Sequence, residues 1–162
     1  MAAIRTARLE LVPMTVGDAA AIVNGRPPSP GRTFADGYPD EGTLVRAGMV
    51  LAATQAGWDP GPFRVYEILC REHGIVIGSC GFHSPPNDEG LVRIGCSLAE
   101  SARGQRYGSE ALGALVGFAR SCSEVRRMVA EVTRANVAGQ KVLERAGLRL
   151  ERAEGELLYY AT

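Results

Sequence analysis

Apolar and polar residues alternate from Arg8 to Met14 (RLELVPM), and this period of two predicts a strand with one buried face. Thr15 then offers its hydroxyl as the N-cap of a helix from Val16 to Val23. Residues 24–43 are rich in Pro and Gly and read as loop. A short helix around Thr43 to Ala53 interrupts them before a second loop, GWDPGP, and we expect the whole region to wall a cleft. Three strand-like segments follow, Phe63 to Cys70, Gly74 to Phe82 and Leu91 to Leu98, joined by the turn Glu72 to Gly74 and the loop SPPNDEG. They predict an antiparallel meander. Past Leu98 the period becomes 3.6: Tyr107, Ala111, Leu112, Leu115, Val116 and Ala119 form one helical stripe ending near Ser121. A strand from Met128 to Val132, a helix from Asn136 to Ala146 stopped by Gly147, and strands at Leu148 to Leu150 and Glu156 to Tyr160 complete the pattern. The order is that of an α/β (α+β) domain with one sheet and no internal repeat.

Composition narrows the class without fixing the function. A chain of 162 residues, 46% hydrophobic and 22% charged, suits one globular core and excludes disorder, collagen and a disulfide miniprotein. The longest apolar run, Ala111 to Ala119, is far shorter than the ~20 residues of a membrane span. Arg5, Arg8 and Glu10 interrupt the start of the chain, so we expect no secretory signal and a cytoplasmic protein. The charges balance overall at 18 against 18, yet residues 1–100 carry a net −3 and residues 101–152 a net +5. The later segment suits a small polyanion. A pI near 6.7, with Arg120, Arg126 and Arg127 as the only dense basic cluster, argues against nucleic acid.

Cys70, Cys80, Cys96 and Cys122 form no CxxC pair, and with only His73 and His83 no zinc set can be assembled. Cys80 and Cys96 lie in strand-like runs and read as small buried apolar residues. His83, between GIVIGSCGF and SPPNDEG, reads as a strand-end surface histidine that could stand at a cleft edge.

The segment that carries chemistry is LVRIGCSLAESARGQRYGSEALGALVGFA, residues 91–119: a strand, a basic turn with two glycines, then a helix. Such a turn aims backbone N–H groups and the positive helix end at one point and suits phosphate oxygens. No GK[ST] follows, so it is not a Walker loop, and GxGxxG is absent.

Arg103, Gly104, Gln105, Arg106, Tyr107 and Gly108 fill the six positions of the acetyl-CoA loop [R/Q]xxGx[G/A] of the GNAT acetyltransferases. With TARLELVPMT, GIVIGSCGF, VRIGCSL and NVAGQKVLERAGL in order, the chain resembles that superfamily from Thr6 to Tyr160, in the branch of the ribosomal-protein N-terminal acetyltransferases. The resemblance implies a single domain over residues 1–162, with a mixed, mostly antiparallel sheet of about seven strands flanked by helices. It implies acetyl-CoA as cosubstrate, with no metal, an amine acceptor, no nucleic-acid or membrane partner, and a monomer or homodimer. The amides of Gly104 to Ser109 would hold the pyrophosphate, and Cys96, Ser97 and Leu98 would pair with the pantetheine arm, one of their N–H groups polarising the thioester. Asn136 matches the Asn that opens the next helix, and Lys141 and Arg145, on one helical face, could reach the 3′-phosphate.

The chain departs from that pattern in four places. Arg106 replaces the central loop Gly, Arg93 stands where this branch often has a Glu base, Gly139 replaces a Ser, and Leu143 stands where other branches have an acid Tyr. No acid or base carries over, which leaves Cys96, Ser97 and Asn136 as polar candidates near the reacting end. The resulting expectation is an N-acetyltransferase with a reduced acid–base set, acting on a peptide or protein N-terminus or a small amine. The alternatives are a non-catalytic acetyl-CoA or CoA-binding module and an acyl-enzyme through Cys96. Asp36, Asp40, Glu41 and Asp59 against Arg46, within residues 33–63, would favour a cationic acceptor, although a solvated acidic loop explains them too.

Overall fold

The computed structural model describes residues 2–26 and 30–162; the Pro-rich part of the expected loop at residues 27–29 lies outside them. Among the described residues nine strands form the sheet: β1 Ile4–Arg5, β2 Leu9–Pro13, β3 Thr33–Phe34, β4 Val65–Cys70, β5 Ile75–Phe82, β6 Leu91–Leu98, β7 Arg127–Thr133, β8 Arg149–Glu154 and β9 Leu157–Ala161. The order is β1-β2-β4-β5-β6-β7-β9-β8, with β3 beside β5. Pairing is antiparallel except for β3–β5 and β6–β7. Four helices cover it: α1 Val16–Val23, α2 Glu41–Gln55, α3 Tyr107–Ser121 and α4 Val137–Arg145.

The expected mixed, mostly antiparallel sheet is present, with two strands more than anticipated. β1 and β3 have two residues each, too short for any period to register. α2 starts before Thr43 because the Asp40 carboxylate accepts from the Thr43 N–H and caps the helix. β8 runs on to Glu154 through RLERAE, all of it exposed, because it is an edge strand held only by β9. The core lies mainly between the sheet and α3, whose predicted stripe is buried in full. Phe63, Phe82 and Phe118 close one end of it with ring centroids 5.2 to 6.1 Å apart.

Candidate functional site

β6 and β7 pair only over Leu91–Arg93 against Arg127–Val129 and then diverge. A cleft of about 630 Å³ opens between them, lined by every residue from 94 to 98 and from 130 to 133. It opens toward α3 and α4, whose Gly108, Leu112, Gly139 and Val142 line it together with the Asn136 cap.

The ladder on the far side of β6 decides which backbone groups face this cleft. His83 N–H donates to the Arg93 carbonyl and Ala99 N–H to the Ile77 carbonyl, so the odd-numbered residues of β6 bond to β5. Past the last pair with β7, whose ladder takes the Ile94 N–H, Cys96 and Leu98 therefore turn their N–H and C=O groups into the cleft, an open strand edge inside the molecule. Such an edge pairs readily with a ligand that carries amides. Ser97 does not join it: its amide points to β5, and its hydroxyl accepts from Arg46 at 2.8 Å. The Leu98 carbonyl is already taken by the Arg103 guanidinium at 3.1 and 3.2 Å.

The 103–109 turn closes the α3 mouth. Gly104 has φ +84° and Arg106 φ +62°, two left-handed residues that swing the chain into α3. The first-turn amides of Tyr107, Gly108 and Ser109 have no helical acceptor, whereas Glu110 N–H already donates to the Arg106 carbonyl. Arg8 braces the turn: its side chain donates to Glu110 at 2.7 Å and to the Gln105 carbonyl at 3.0 Å, and it stacks over Tyr107 at 4.4 Å. Burial raises the Glu110 pKa, but hydrogen bonds from Thr6 and Arg8 outweigh it and hold the carboxyl below its ordinary range. The Tyr107 ring is buried toward Cys70, so only its amide serves the turn. Gly108 lines the cleft, and a β-carbon there would touch Val142 and Leu98 at ordinary contact distance.

Arg106 is exposed, makes no capping hydrogen bond and holds a conformation that disfavours a β-carbon, at a cost of roughly 1 kcal/mol. Arg106→Gly is therefore expected to raise stability by about 1 kcal/mol, read as an upward shift of the thermal midpoint; an unchanged or lower midpoint would contradict this.

On α4, Asn136 accepts from the Gly139 N–H at 2.9 Å and so serves as the helix cap while lining the cleft. A β-carbon on Gly139 would lie 2.6 Å from the Asn136 amide nitrogen, so a larger residue there would shift the capping side chain. Arg145 reaches the Ser109 hydroxyl at 3.5 Å, bringing α4 against the turn, and Lys141 is exposed one helical turn away. Leu143 is buried at the cleft floor.

Around β6 stand further residues whose roles the sequence left unassigned. Arg93 is ion-paired with Glu131 of the neighbouring strand, so the carboxylate missing at 93 stands one strand away and is already engaged. Arg46 lies against Gly95 and shares that space with the His83 Nε2, which stands 3.6 Å from a β-carbon built there. Burial, then Arg46, then Arg93 lower the His83 pKa, so the imidazole is neutral near pH 7 and able to accept a proton. No sequence signal links His83 or Glu131 to Arg93; strand pairing alone does so.

Two expectations are corrected here. Burial pushes the Cys96 thiol up to about 11, so it stays protonated near neutral pH, and the thiol packs against the core with no base beside it. The acyl-enzyme reading therefore lacks a nucleophile. The acidic wall is also smaller than its residue count: Asp40 is buried as the α2 cap and Asp59 is paired with Arg64. The cation Arg46 lies deepest.

Residues 8–149 match the profile of the Acetyltransferase (GNAT) domain. An uncharacterized N-acetyltransferase of Bacillus subtilis is 29% identical over 98 residues, 60% of this chain and 58% of that protein. The match thus spans less than two thirds of that relative. Among solved structures, RimL, a ribosomal L7/L12 alpha-N-protein acetyltransferase in complex with coenzyme A, superposes with a TM-score of 0.70 at 20% identity, covering 99% of this chain and 97% of that one. An acetyltransferase from Agrobacterium tumefaciens gives 0.69 at 24% identity, over 100% and 94%. At these identities the likeness is one of fold.

Proposed function

The chain belongs to the GNAT acetyltransferase family, and from that premise we propose that it is an acetyl-CoA-dependent N-acetyltransferase. One observation carries the reading: the cleft between the diverging strands β6 and β7 begins beside the amide-bearing turn of α3 and runs along the open edge of β6. In this reading the amides from Gly104 to Ser109 take the pyrophosphate, and Arg103, Arg145 and Lys141 add positive charge around it. The pantetheine arm pairs with the free edge of β6. The N–H of Cys96 or Leu98 receives the thioester oxygen as it becomes an oxyanion. The acceptor nitrogen attacks the carbonyl carbon, the C–S bond breaks, and coenzyme A leaves as the thiolate. We assign His83 Nε2 as the acceptor of the proton released as the C–N bond forms, after which the imidazolium returns it to solvent.

The acceptor is a primary amine, and the ribosomal-protein branch makes a peptide N-terminus one candidate. The competing reading, a module that holds acetyl-CoA without turning it over, draws on the replaced positions Arg93, Gly139 and Leu143. Calorimetry with acetyl-CoA, followed by turnover with a panel of amines, separates the two. Binding with turnover is expected; binding without it favours the module, and no binding by the folded chain removes both.

Arg106→Gly has a further expected result at this site. The exposed guanidinium is available to the phosphates, so its removal should weaken acetyl-CoA binding about tenfold, the scale of one charge-assisted hydrogen bond, and flatten the salt dependence. Tighter binding by that variant would show that Arg106 obstructs the cofactor.

A further inference from the structure

His83 borders a second cavity, of about 440 Å³, a volume within the range of small-molecule sites. Its walls are apolar side chains from four segments: Val16 at the start of α1, Met49 and Ala53 on α2, Trp58 just beyond that helix, and Phe63 ahead of β4. Scattered exposed apolar residues are ordinary, yet Val16 and Trp58 keep 47% and 42% of their surface exposed around one concavity.

The backbone that carries Trp58 is fixed on both sides. Gly57, at φ +74°, ends α2 in the left-handed conformation; its N–H donates to the Thr54 carbonyl at 3.0 Å, and the Trp58 N–H to the Ala53 carbonyl at 3.3 Å. These two bonds form a Schellman cap, which turns the residue after the glycine back toward the last helical turn. Beyond it, Asp59 accepts from the Gly61 N–H at 2.9 Å and from Arg64 at 2.5 Å, and the Phe63 N–H donates to the Pro60 carbonyl at 3.1 Å. Among the described residues that line the cavity, Asp59 and Arg64 are the charged ones, and they neutralise each other. An apolar group therefore gains from entering, whereas a cationic one finds no unmatched carboxylate.

Resting on the acetyltransferase reading, we propose that this cavity seats the apolar part of the acceptor, and that the preferred substrates are primary amines flanked by a bulky, uncharged aromatic or branched aliphatic group. With that group beside Trp58, the nitrogen stands at His83. The imidazole joins the two spaces: its Nε2 lies 3.6 Å from the β-carbon position of Gly95, and Gly95 lines the cofactor cleft.

The test compares four amino-acid amides as acceptors, those of phenylalanine, leucine, glycine and lysine, at saturating acetyl-CoA and corrected for the free-amine fraction. The wild type should favour the phenylalanine and leucine amides over the glycine amide in kcat/KM by about 10- to 100-fold, the worth of burying one large apolar side chain, with the lysine amide near glycine. Trp58→Ala should cut the phenylalanine-to-glycine ratio at least about fivefold, mainly through KM of the apolar amide. Met49→Gln, similar in length and polar, should do the same and serves if the Trp58 variant does not fold, as judged by its melt and its acetyl-CoA affinity. Trp58 is the single tryptophan of the chain, so its emission reads the cavity without turnover. Titration of the coenzyme A-loaded protein with leucine amide should shift that emission, and glycine amide should not. Equal turnover of all four amides, or a preference for glycine or lysine, would overturn the inference and leave the acetyltransferase reading intact. An unchanged preference in a folded variant, or emission that stays constant as leucine amide saturates the enzyme, would overturn it by locating the apolar group elsewhere. Absence of turnover with every amine would instead remove the acetyltransferase reading, and the inference with it.

Discussion

A Gly108→Asp chain is expected to fold normally and to lose acetyl-CoA binding by at least about 100-fold, the scale of turning a favourable charged contact into repulsion. The two effects separate because of where residue 108 stands. It is the second residue of α3, and an acidic side chain in the first turn favours the helix through its positive end. The new β-carbon would meet Val142 and Leu98 at 3.6 and 3.7 Å, ordinary contacts that require no repacking. The carboxylate beyond it would project into the cleft, between those side chains and beside the amides that receive the pyrophosphate. Gly108→Ala adds the carbon without the charge and should weaken binding only slightly. Calorimetry on both variants, with melts as a folding control, checks this; an Asp variant that binds acetyl-CoA like the wild type would move the phosphate site away from α3.

The dependence of kcat/KM on pH should show two limbs with different owners. The upper limb follows the free-amine fraction of the acceptor and levels off at its pKa, near 7.7–8.0 for an α-amino group and about 10.4 for a lysine side chain. The lower limb belongs to the protein. His83 accepts a proton only when neutral, and burial, Arg46 and Arg93 hold its pKa below the ordinary 6.5, so activity falls as pH drops through a midpoint under that value. Glu131 is tied to Arg93, while Asp59 and Arg64, paired with each other, lie across the cavity that His83 borders. Two acceptors of well-separated pKa should share the lower midpoint and differ in the upper one. His83→Gln should remove the lower limb and lower the plateau by roughly 100-fold, the low end of general-base effects. A lower limb that survives in that variant would assign the base to another group.

Local patterns along the chain were enough to locate most elements. β6 at Leu91–Leu98, α1 at Val16–Val23 and α3 at Tyr107–Ser121 coincide with their predicted limits, because each has one buried stripe and a capping or turn residue at its end. The strand, basic turn and helix that line the cleft were legible for the same reason: that part of the chemistry is contiguous, within residues 91–119, and α4 adds Asn136, Lys141 and Arg145 to it.

The surroundings of β6 on its α2 side were not legible, because their residues come from α2, the end of β5, and two strands that meet only in the sheet. Arg46 looked like one cation in an acidic stretch, and tertiary packing made it the innermost charge by burying Asp40 in a helix cap. Arg93 looked like a lost base, and the parallel register placed Glu131 beside it. His83 is the exposed strand-end histidine that its position implied, and only the fold shows that its Nε2 and the Arg46 guanidinium both stand beside Gly95. Periodicity, capping and turn chemistry act over a few residues, so the elements, the family resemblance and the turn at the head of α3 could be read along the chain. Which strand edge stays open and which charges neutralise one another depend on register and burial between residues far apart in the chain, and emerged with the fold.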